Sequence, residues 1–543
     1  MRLLALSVAL LAMSACAAEP VWDDFSDTWV ATDGRGRAVS TFEQTGPPRA
    51  DRTVAMFYFL WLEQLPGPYD VTKILAKDPQ AMSKPDSPLW GPMYAAHHWG
   101  ESIFGYYIGD DDSVLRKHAQ MLGDAGVDVI IFDTSNKLIY PKNHRKLFEV
   151  FEQMRQAGNR VPQVAFLTPF WDPRSTVREL YDTVYSKKIG ETLWFKWDGK
   201  PLILADPKLV DEDIRGFFTF RKPQPDYFQG PTGPDMWSWL EVYPQHVFTN
   251  SMGQKEQMSV GVGQNAVNGR LATMSQKGSL GRSYHGDNYG EQWTRALKED
   301  PRAIFITGWN EWIAGRFPEF NGVKEPVMFV DEFDQEHSRD IEPMKGGHGD
   351  AYYYQTIDFI RRYKGARPVA QVKPQKIVLD GKFEDWKDVT PEYRDTIDDA
   401  VHRNHLGWGD TGRYFNNSGR NDIVAAKVSF DAENVYFYVR TKDSLTPSTD
   451  PNWMVLLIDS DENSKTGWLG YDLIIRPGIT QNVAFRVAGN EMELSLPRSK
   501  VADTFDFKWI DNIEPGKDAS LFTLDGDAAP NDRFNYRAIL SHH

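Results

Sequence analysis

From residue 51 to about residue 364 the chain alternates short β-rich apolar runs with amphipathic helical stretches, and this alternation restricts the fold more than any other feature. Val54-Ala-Met-Phe-Tyr-Phe-Leu-Trp61 reads as a first strand. Asp112 and Ser113 open a helix with Val114, Leu115, Ala119, Leu122 and Ala125 on one face, closed by Gly126. Residues 127–133 then form a buried strand that ends on Asp133, and a second helix follows with Leu147, Phe148, Phe151 and Met154 inward and Gly158 just past its end. Further strands are expected at 163–170, 201–206, 214–220, 257–264 and 303–309, while 237–243 fits either type. Strands and helices alternating over roughly 300 residues predict a (β/α)8, TIM-type barrel, with a doubly wound sheet as the competitor. In a barrel the residues just past each strand's C-terminal end form the functional face, a rule that selects Glu63, Asp133, Trp171, Asp172, Asn265 and Glu311.

After Tyr363 the pattern changes. Residues 365–375 read as a linker, and short β runs at 377–379, 425–430, 435–440, 454–458 and 471–475 are separated by Asp, Asn and Gly turns. They predict an antiparallel β-sandwich over 376–543, following a barrel over 19–364. A chain of 543 residues is long enough for both cores.

At the N-terminus, Arg2 precedes an apolar run over 3–13 and the small residues Ser14, Ala15, Cys16, Ala17 and Ala18. This is the pattern of a signal peptide over 1–18, too short for a spanning helix. Met-Ser-Ala-Cys16 resembles a bacterial lipobox, which would make Cys16 a lipid anchor; simple cleavage near Ala18 is the alternative. The expected location is therefore exported: periplasmic, outer-membrane lipoprotein or secreted. Cys16 is the single cysteine, so neither a disulfide nor a thiol catalyst is expected. A net charge of −15 disfavours nucleic acid and anionic lipid surfaces as partners. The 18 tryptophans suit either a large barrel core or the stacking of sugar rings on indoles.

Phe305-Ile-Thr-Gly-Trp-Asn-Glu-Trp-Ile-Ala-Gly-Arg316 carries the sharpest chemistry. An apolar strand delivers Trp309, Asn310, Glu311 and Trp312 to its C-terminal mouth. A carboxylate between indoles suits glycosyl transfer to water, because the indoles exclude solvent and tune the acid while the amide can hold a hydroxyl. A buried Glu311 paired with Arg316 is the structural alternative. The histidines at 97, 98, 118, 144, 246 and 285 have no zinc spacing, and no phosphate loop, dinucleotide fingerprint or serine elbow occurs, so catalysis is expected to need no cofactor.

With these residues the segment from Val54 to Arg316 resembles the glycoside hydrolase family 99 endo-α-mannosidases and their WbsX-like relatives. Leu89-Trp-Gly-Pro, His97-His-Trp-Gly-Glu101, Phe104-Gly-Tyr-Tyr and the run from Arg116 to Thr134 are in keeping with it. The resemblance implies a (β/α)8 fold and hydrolysis of glycosidic bonds. It also implies a second glutamate three residues after the first, where this chain has Ala314, so Glu311 matches and its partner must come from elsewhere.

Hydrolysis of a glycoside calls for two carboxyl groups, about 5 Å apart for retention and about 6.5–9.5 Å for inversion. Asp133 is the first choice of partner, with a capping role at a βα junction as its alternative; Glu101, Asp287 and Glu241 remain open. His98, Trp99, Trp171, Asp172, Gln264, Asn265 and His285 are candidate substrate contacts. The expected activity is hydrolysis of an extracellular polysaccharide, with a non-catalytic glycan-binding lipoprotein as the alternative.

In the sandwich, Ile377-Val-Leu-Asp-Gly-Lys-Phe-Glu-Asp-Trp386, Phe430-Asp-Ala-Glu-Asn-Val-Tyr-Phe-Tyr-Val439 and the run from Leu456 to Trp468 resemble family 9 carbohydrate-binding modules. Trp386, Trp453 and Trp468 are either sugar platforms or core. Asp459, Asp461 and Asn463 place oxygen ligands at alternate positions, a pattern that fits either a structural Ca²⁺ or a plain acidic turn.

Overall fold

The computed structural model describes residues 23–541 except 264, 267–268, 271–284, 321, 323, 325, 331–333 and 336–339, with side chains also omitted at 265–266 and 269–270. The expected signal segment with Cys16, Gln264 and the Asn265 side chain lie outside the described residues.

Among the described residues, eight parallel strands build a nearly closed barrel: β1 (Thr53–Tyr58), β2 (Val129–Asp133), β3 (Gln163–Leu167), β4 (Lys200–Leu204), β5 (Thr219–Gln224), β6 (Met236–Ser238), β7 (Lys255–Gly261) and β8 (Ala303–Thr307). Their order is β7-β8-β1-β2-β3-β4-β5-β6. Side chains bridge the seam between β6 and β7. The Gln257 amide accepts from Ser238 N–H and donates to Ser238 C=O, both at 2.9 Å, and Trp237 Nε1 donates to Glu256 at 2.7 Å. The expected (β/α)8-type barrel is thus present, with loops in place of helices on either side of β6.

The strands form where β-branched and aromatic residues are buried on both faces, as in the wholly buried Val-Ile-Ile-Phe-Asp of β2. Helix α1 (Asp112–Asp124) is capped by the Asp111 carboxylate, and α2 (Pro141–Gln156) starts on a proline whose missing N–H costs nothing there. Helices α3 (Arg174–Leu180), α4 (Glu212–Arg215), α5 (Asp287–Glu299) and α6 (Ala351–Lys364) complete the outer layer.

Two expectations change. Residues 214–220 do not form one strand: Ile214 is the buried residue of α4, whose acidic first turn suits the helix dipole, and β5 begins only at Thr219. The undecided segment 237–243 holds β6 in its first residues and continues as a loop. Several strands also stop short of their apolar runs, β1 at Tyr58 and β8 at Thr307, because the residues that follow leave the ladder to line the barrel mouth.

The C-terminal part is antiparallel apart from one parallel pairing. One sheet contains Val455–Asp459, Thr504–Asp511 and Tyr536–Leu540; the other contains Ile423–Phe430, Asn434–Thr441 and Glu491–Pro497. Phe437 of the second packs against Phe505 and Phe507 of the first at 5.9 and 5.7 Å. The expected strand at Ile377 is extended chain outside the ladders, its side chain packed with Trp386, Val389, Tyr436 and Tyr438.

The two parts share a close boundary. The expected linker is built in: Arg367 pairs with Asp27, and Gln371–Val372 is the strand that lies parallel to Tyr536–Leu540. A hairpin of Arg403–Leu406 and Arg413–Asn416 reaches back to the barrel, where the Tyr414 hydroxyl accepts from Tyr106 N–H and the Trp408 ring meets His98 edge-on at 4.9 Å. Near the start of the described chain, Val30 bridges to Asn535 and Arg361 of α6 donates to the Trp29 carbonyl.

Candidate functional site

A cleft of about 470 Å³ opens at the C-terminal mouth of the barrel. Its floor is Phe57 of β1 and Phe59 just past it, and its walls are Trp61, Phe170, Trp171, Tyr227, Trp239 and Phe320. Asp133 and Glu311 both line it. The aromatic rings form a connected set: Trp61 stacks on Phe59 at 5.0 Å, and Trp239 meets Phe57, Tyr227 and Phe170 at 5.7, 5.4 and 6.3 Å. Trp171 stands at the rim, 75% exposed. Trp61 Nε1 is buried and makes no hydrogen bond among the described residues, leaving a donor in the wall.

Asp133 is the last residue of β2, 7% exposed, and its Oδ1 accepts the Ser135 N–H at 2.9 Å, a short turn that holds the carboxylate at the strand end. Glu311 is 2% exposed and is positioned through its backbone: its N–H donates to Asp340 and its carbonyl accepts Trp99 Nε1 at 3.0 Å. Asp340 also accepts that indole N–H at 2.8 Å, so one buried carboxylate fixes both the Glu311 backbone and the ring beside it. A second buried acid supports the same segment. Glu342 accepts from Trp312 Nε1 at 2.6 Å, Ser102 Oγ at 2.6 Å and Tyr107 Oη at 2.8 Å.

The neighbours of Glu311 in its motif therefore face away from the cleft. Trp309 is buried against His118 and Tyr353, and its N–H donates to the Phe57 carbonyl. The amide of Asn310, expected to hold a sugar hydroxyl, is occupied with both backbone groups of Phe59, at 2.9 and 3.2 Å. Trp312 stacks on Trp99 at 4.7 Å, both rings buried. The Asn310 side chain and the Trp309 backbone N–H lock the loop after β8 to the end of β1. Nor does Glu311 pair with Arg316, which donates instead to the Pro85 and Gly91 carbonyls.

Other sequence candidates also fall outside the cleft lining. His98 is buried between Tyr106 and Trp408, and burial lowers its pKa to about 3, so it packs as a neutral ring. Glu101 lies between Lys73 and Lys345 at 2.6 and 2.7 Å, which hold its carboxyl below the usual range against the opposing effect of burial. Asp172 is an exposed partner of Lys137. Glu241 is fully buried, accepting from His246 N–H at 2.9 Å and sharing a hydrogen bond with His246 Nδ1 at 2.9 Å, and burial raises its carboxyl to about 8. His285 is exposed and its carbonyl accepts from Arg37, while Asp287 begins α5.

Ile313, Ala314 and Gly315 all line the cleft, so a methyl group occupies the position where the resemblance calls for a second glutamate. Sequence reasoning missed Tyr227, Trp239 and Phe320 because they lie in loops without periodicity, and Asp340 and Glu342 because nothing near them in sequence marks them as buried. Trp61 and Phe170 were recognisable only as the last aromatic residues of apolar runs.

In the sandwich, Trp386 is buried, donates to Glu493 at 2.9 Å and stacks on Tyr438; Trp453 is buried; Trp468 packs on Phe522 and donates to the Lys517 carbonyl. All three serve packing. In the acidic loop, Asp459 and Asp461 come together with Asp472, one oxygen of each within 4.8 Å of the others. Asn463 N–H donates to both Asp459 and Asp461, and its side-chain oxygen accepts Lys465 N–H.

No family model matches the chain, and no curated protein matches it. Among solved structures it is similar to the GH99 endo-alpha-mannosidase from Bacteriodes thetaiotaomicron, with 15% identity and a TM-score of 0.35, covering 58% of this chain and 97% of that one. No helix among the described residues is long and apolar enough to cross a membrane.

Proposed function

We propose that the protein is an exported glycoside hydrolase that acts on a polysaccharide in the aromatic cleft at the barrel mouth, with Glu311 and Asp133 as its two carboxyl groups. The observation that carries this reading is the convergence of Glu311 and Asp133, from the ends of different strands, on one cleft walled by indole and phenyl rings. Each part has a physical role. Stacked rings bind the apolar faces of pyranosides and exclude water, and the Trp61 N–H is a ready donor to a hydroxyl. Of the two carboxyls, one donates a proton to the leaving oxygen; the other stabilises the cationic sugar, either attacking it or activating water. The backbone of Glu311, held by Asp340 and Trp99, keeps its carboxyl from drifting as charge moves.

The test is release of reducing ends from neutral and sulfated polysaccharides by wild type, Glu311→Gln and Asp133→Asn. Loss of at least a thousandfold in kcat in each variant, with the fold intact by circular dichroism, supports the reading. Undiminished turnover in Glu311→Gln would reject it.

Ala314 favours a second reading, a glycan-binding protein without turnover, because the cleft carries a methyl where a second glutamate is called for. That reading expects binding on affinity gels, abolished by changes in the aromatic wall, and no reducing ends from any polymer.

A further inference from the structure

Away from the cleft, where the β-sandwich meets the barrel, three aspartates from two segments of the sandwich converge: Asp395 and Asp399 from the segment after the Glu392–Arg394 strand, and Asp527 from the start of the Asp527–Ala529 strand. One carboxylate oxygen of each lies within 4.8 Å of the others, and all three residues are buried. Oxygens on opposite sides of one Ca²⁺ are about 5 Å apart, and those around the smaller Mg²⁺ about 4 Å.

A cluster of acids alone would say little. Here the Asp399 side chain has no exposed surface, its Oδ2 is 3.2 Å from Lys117 of α1, and its Oδ1 is buried without a hydrogen-bond partner among the described residues. Asp399 is also the foremost like-charge neighbour of both Asp395 and Asp527, so its carboxylate faces the other two. A buried carboxylate oxygen left without a donor costs free energy that a cation would recover.

The surroundings do not neutralise this charge. Asp124, Asp422 and Asp532 add acids to the same region, and Lys117 and Lys508 are the cations facing it, with Lys442 paired to Asp398 at its edge. Lys508 donates to the Pro530 carbonyl, and Asn531 and Gln120 satisfy Asp124, while Gln120 and Thr523 satisfy Asp532. Asp527 accepts from Ile423 and Ala528 N–H. The amides and hydroxyl thus serve the flanking acids, while the three carboxyl groups of the trio share two facing cations, Lys117 and Lys508.

We propose that Asp395, Asp399 and Asp527 form a calcium site at the junction of the sandwich with helix α1 of the barrel. The all-oxygen, all-carboxylate donor set is that of a hard cation, and its burial favours Ca²⁺ over Mg²⁺, which dehydrates more reluctantly. Its location gives it a structural role: through Lys117 and the Gln120, Asp124 and Asn531 contacts, the trio is continuous with the side chains that hold α1 against the sandwich.

The experiment uses the full chain, stripped with EGTA, and follows thermal unfolding with CaCl2 or MgCl2 at neutral pH. Calcium at 1 mM is expected to raise Tm by about 3–5 °C, with magnesium weaker. The shift is expected to vanish in Asp399→Asn and Asp527→Asn. It should persist in Asp461→Asn/Asp472→Asn, which removes exposed acids of the other loop. That double variant also covers the case in which the buried substitutions fail to fold: after gel filtration in calcium buffer it should retain one calcium per chain by atomic emission. No calcium in that variant, no shift in wild type, or a shift that survives Asp399→Asn would overturn the proposal.

Discussion

Asp340 and Glu342 are two residues apart and both fully buried, yet they do different work around the motif after β8. Asp340 fixes the backbone on which Glu311 stands, whereas Glu342 gathers the Trp312, Ser102 and Tyr107 donors behind it. Replacing Glu342 by Ala leaves several buried donors without an acceptor, and urea unfolding should show a loss of about 3 kcal/mol or more. Trp171 lies at the other extreme, exposed and in contact with Phe170 alone among the described rings. Trp171→Ala should leave Tm unchanged and raise KM for a polymeric substrate about fivefold, the loss of roughly 1 kcal/mol of stacking. Glu241 gives a pH signature. Its carboxyl is raised by burial from the usual carboxylate range to about 8, so the folded state holds a proton that the unfolded state releases above about pH 4.5. Stability conferred by that proton is complete at low pH and is lost as pH rises toward 8. Glu241→Gln keeps the shape of the protonated acid and should flatten the decline in Tm between pH 5 and pH 8.

At the scale of elements, the hairpin of Arg403–Leu406 and Arg413–Asn416 depends on close backbone approach. Gly409 has φ near +54°, and a Cβ there would sit 2.0 Å from the Gly67 carbonyl oxygen. Gly409→Ala must therefore push the hairpin off the barrel loop, and the expected result is a lower Tm together with faster proteolysis after residue 406. The barrel strands themselves were legible because buried apolar runs such as β2 and β8 leave little choice, and Asp133 and Glu311 followed from the rule that strand ends face the mouth. The segment 214–220 was misread because Ile214, Phe217 and Phe218 look like a strand when the acidic first turn of α4 is ignored. Of the cleft's walls, Trp171 was legible by the same rule, but most of the rest was not. Tyr227 and Trp239 come from loops around β6, where no helix supplies a period, and the pairing of Asn310 with Phe59 joins residues 251 positions apart. Polar residues in a mouth motif look alike in sequence whether they face a ligand or lock a neighbouring strand.

Over the whole molecule, barrel and sandwich share partly buried polar contacts rather than a free tether: Arg403 with Asp111, Lys117 with Asp399, Arg533 with Asp350. The junction is accordingly expected to unfold with both parts in a single urea transition, coincident by tryptophan fluorescence and far-ultraviolet circular dichroism. The bridge between Val30 and Asn535 has a further consequence, in time rather than in space. A chain made from its N-terminus emerges with residue 30 roughly half a minute to two minutes before residue 535, at about 5–20 residues per second. The barrel strands can pair in that interval, but the segment around Trp29 and Val30 has no partner strand until the last stretch of the sandwich has been made. The segment around residue 30 thus completes its contacts only after the stretch around residue 535 has been made.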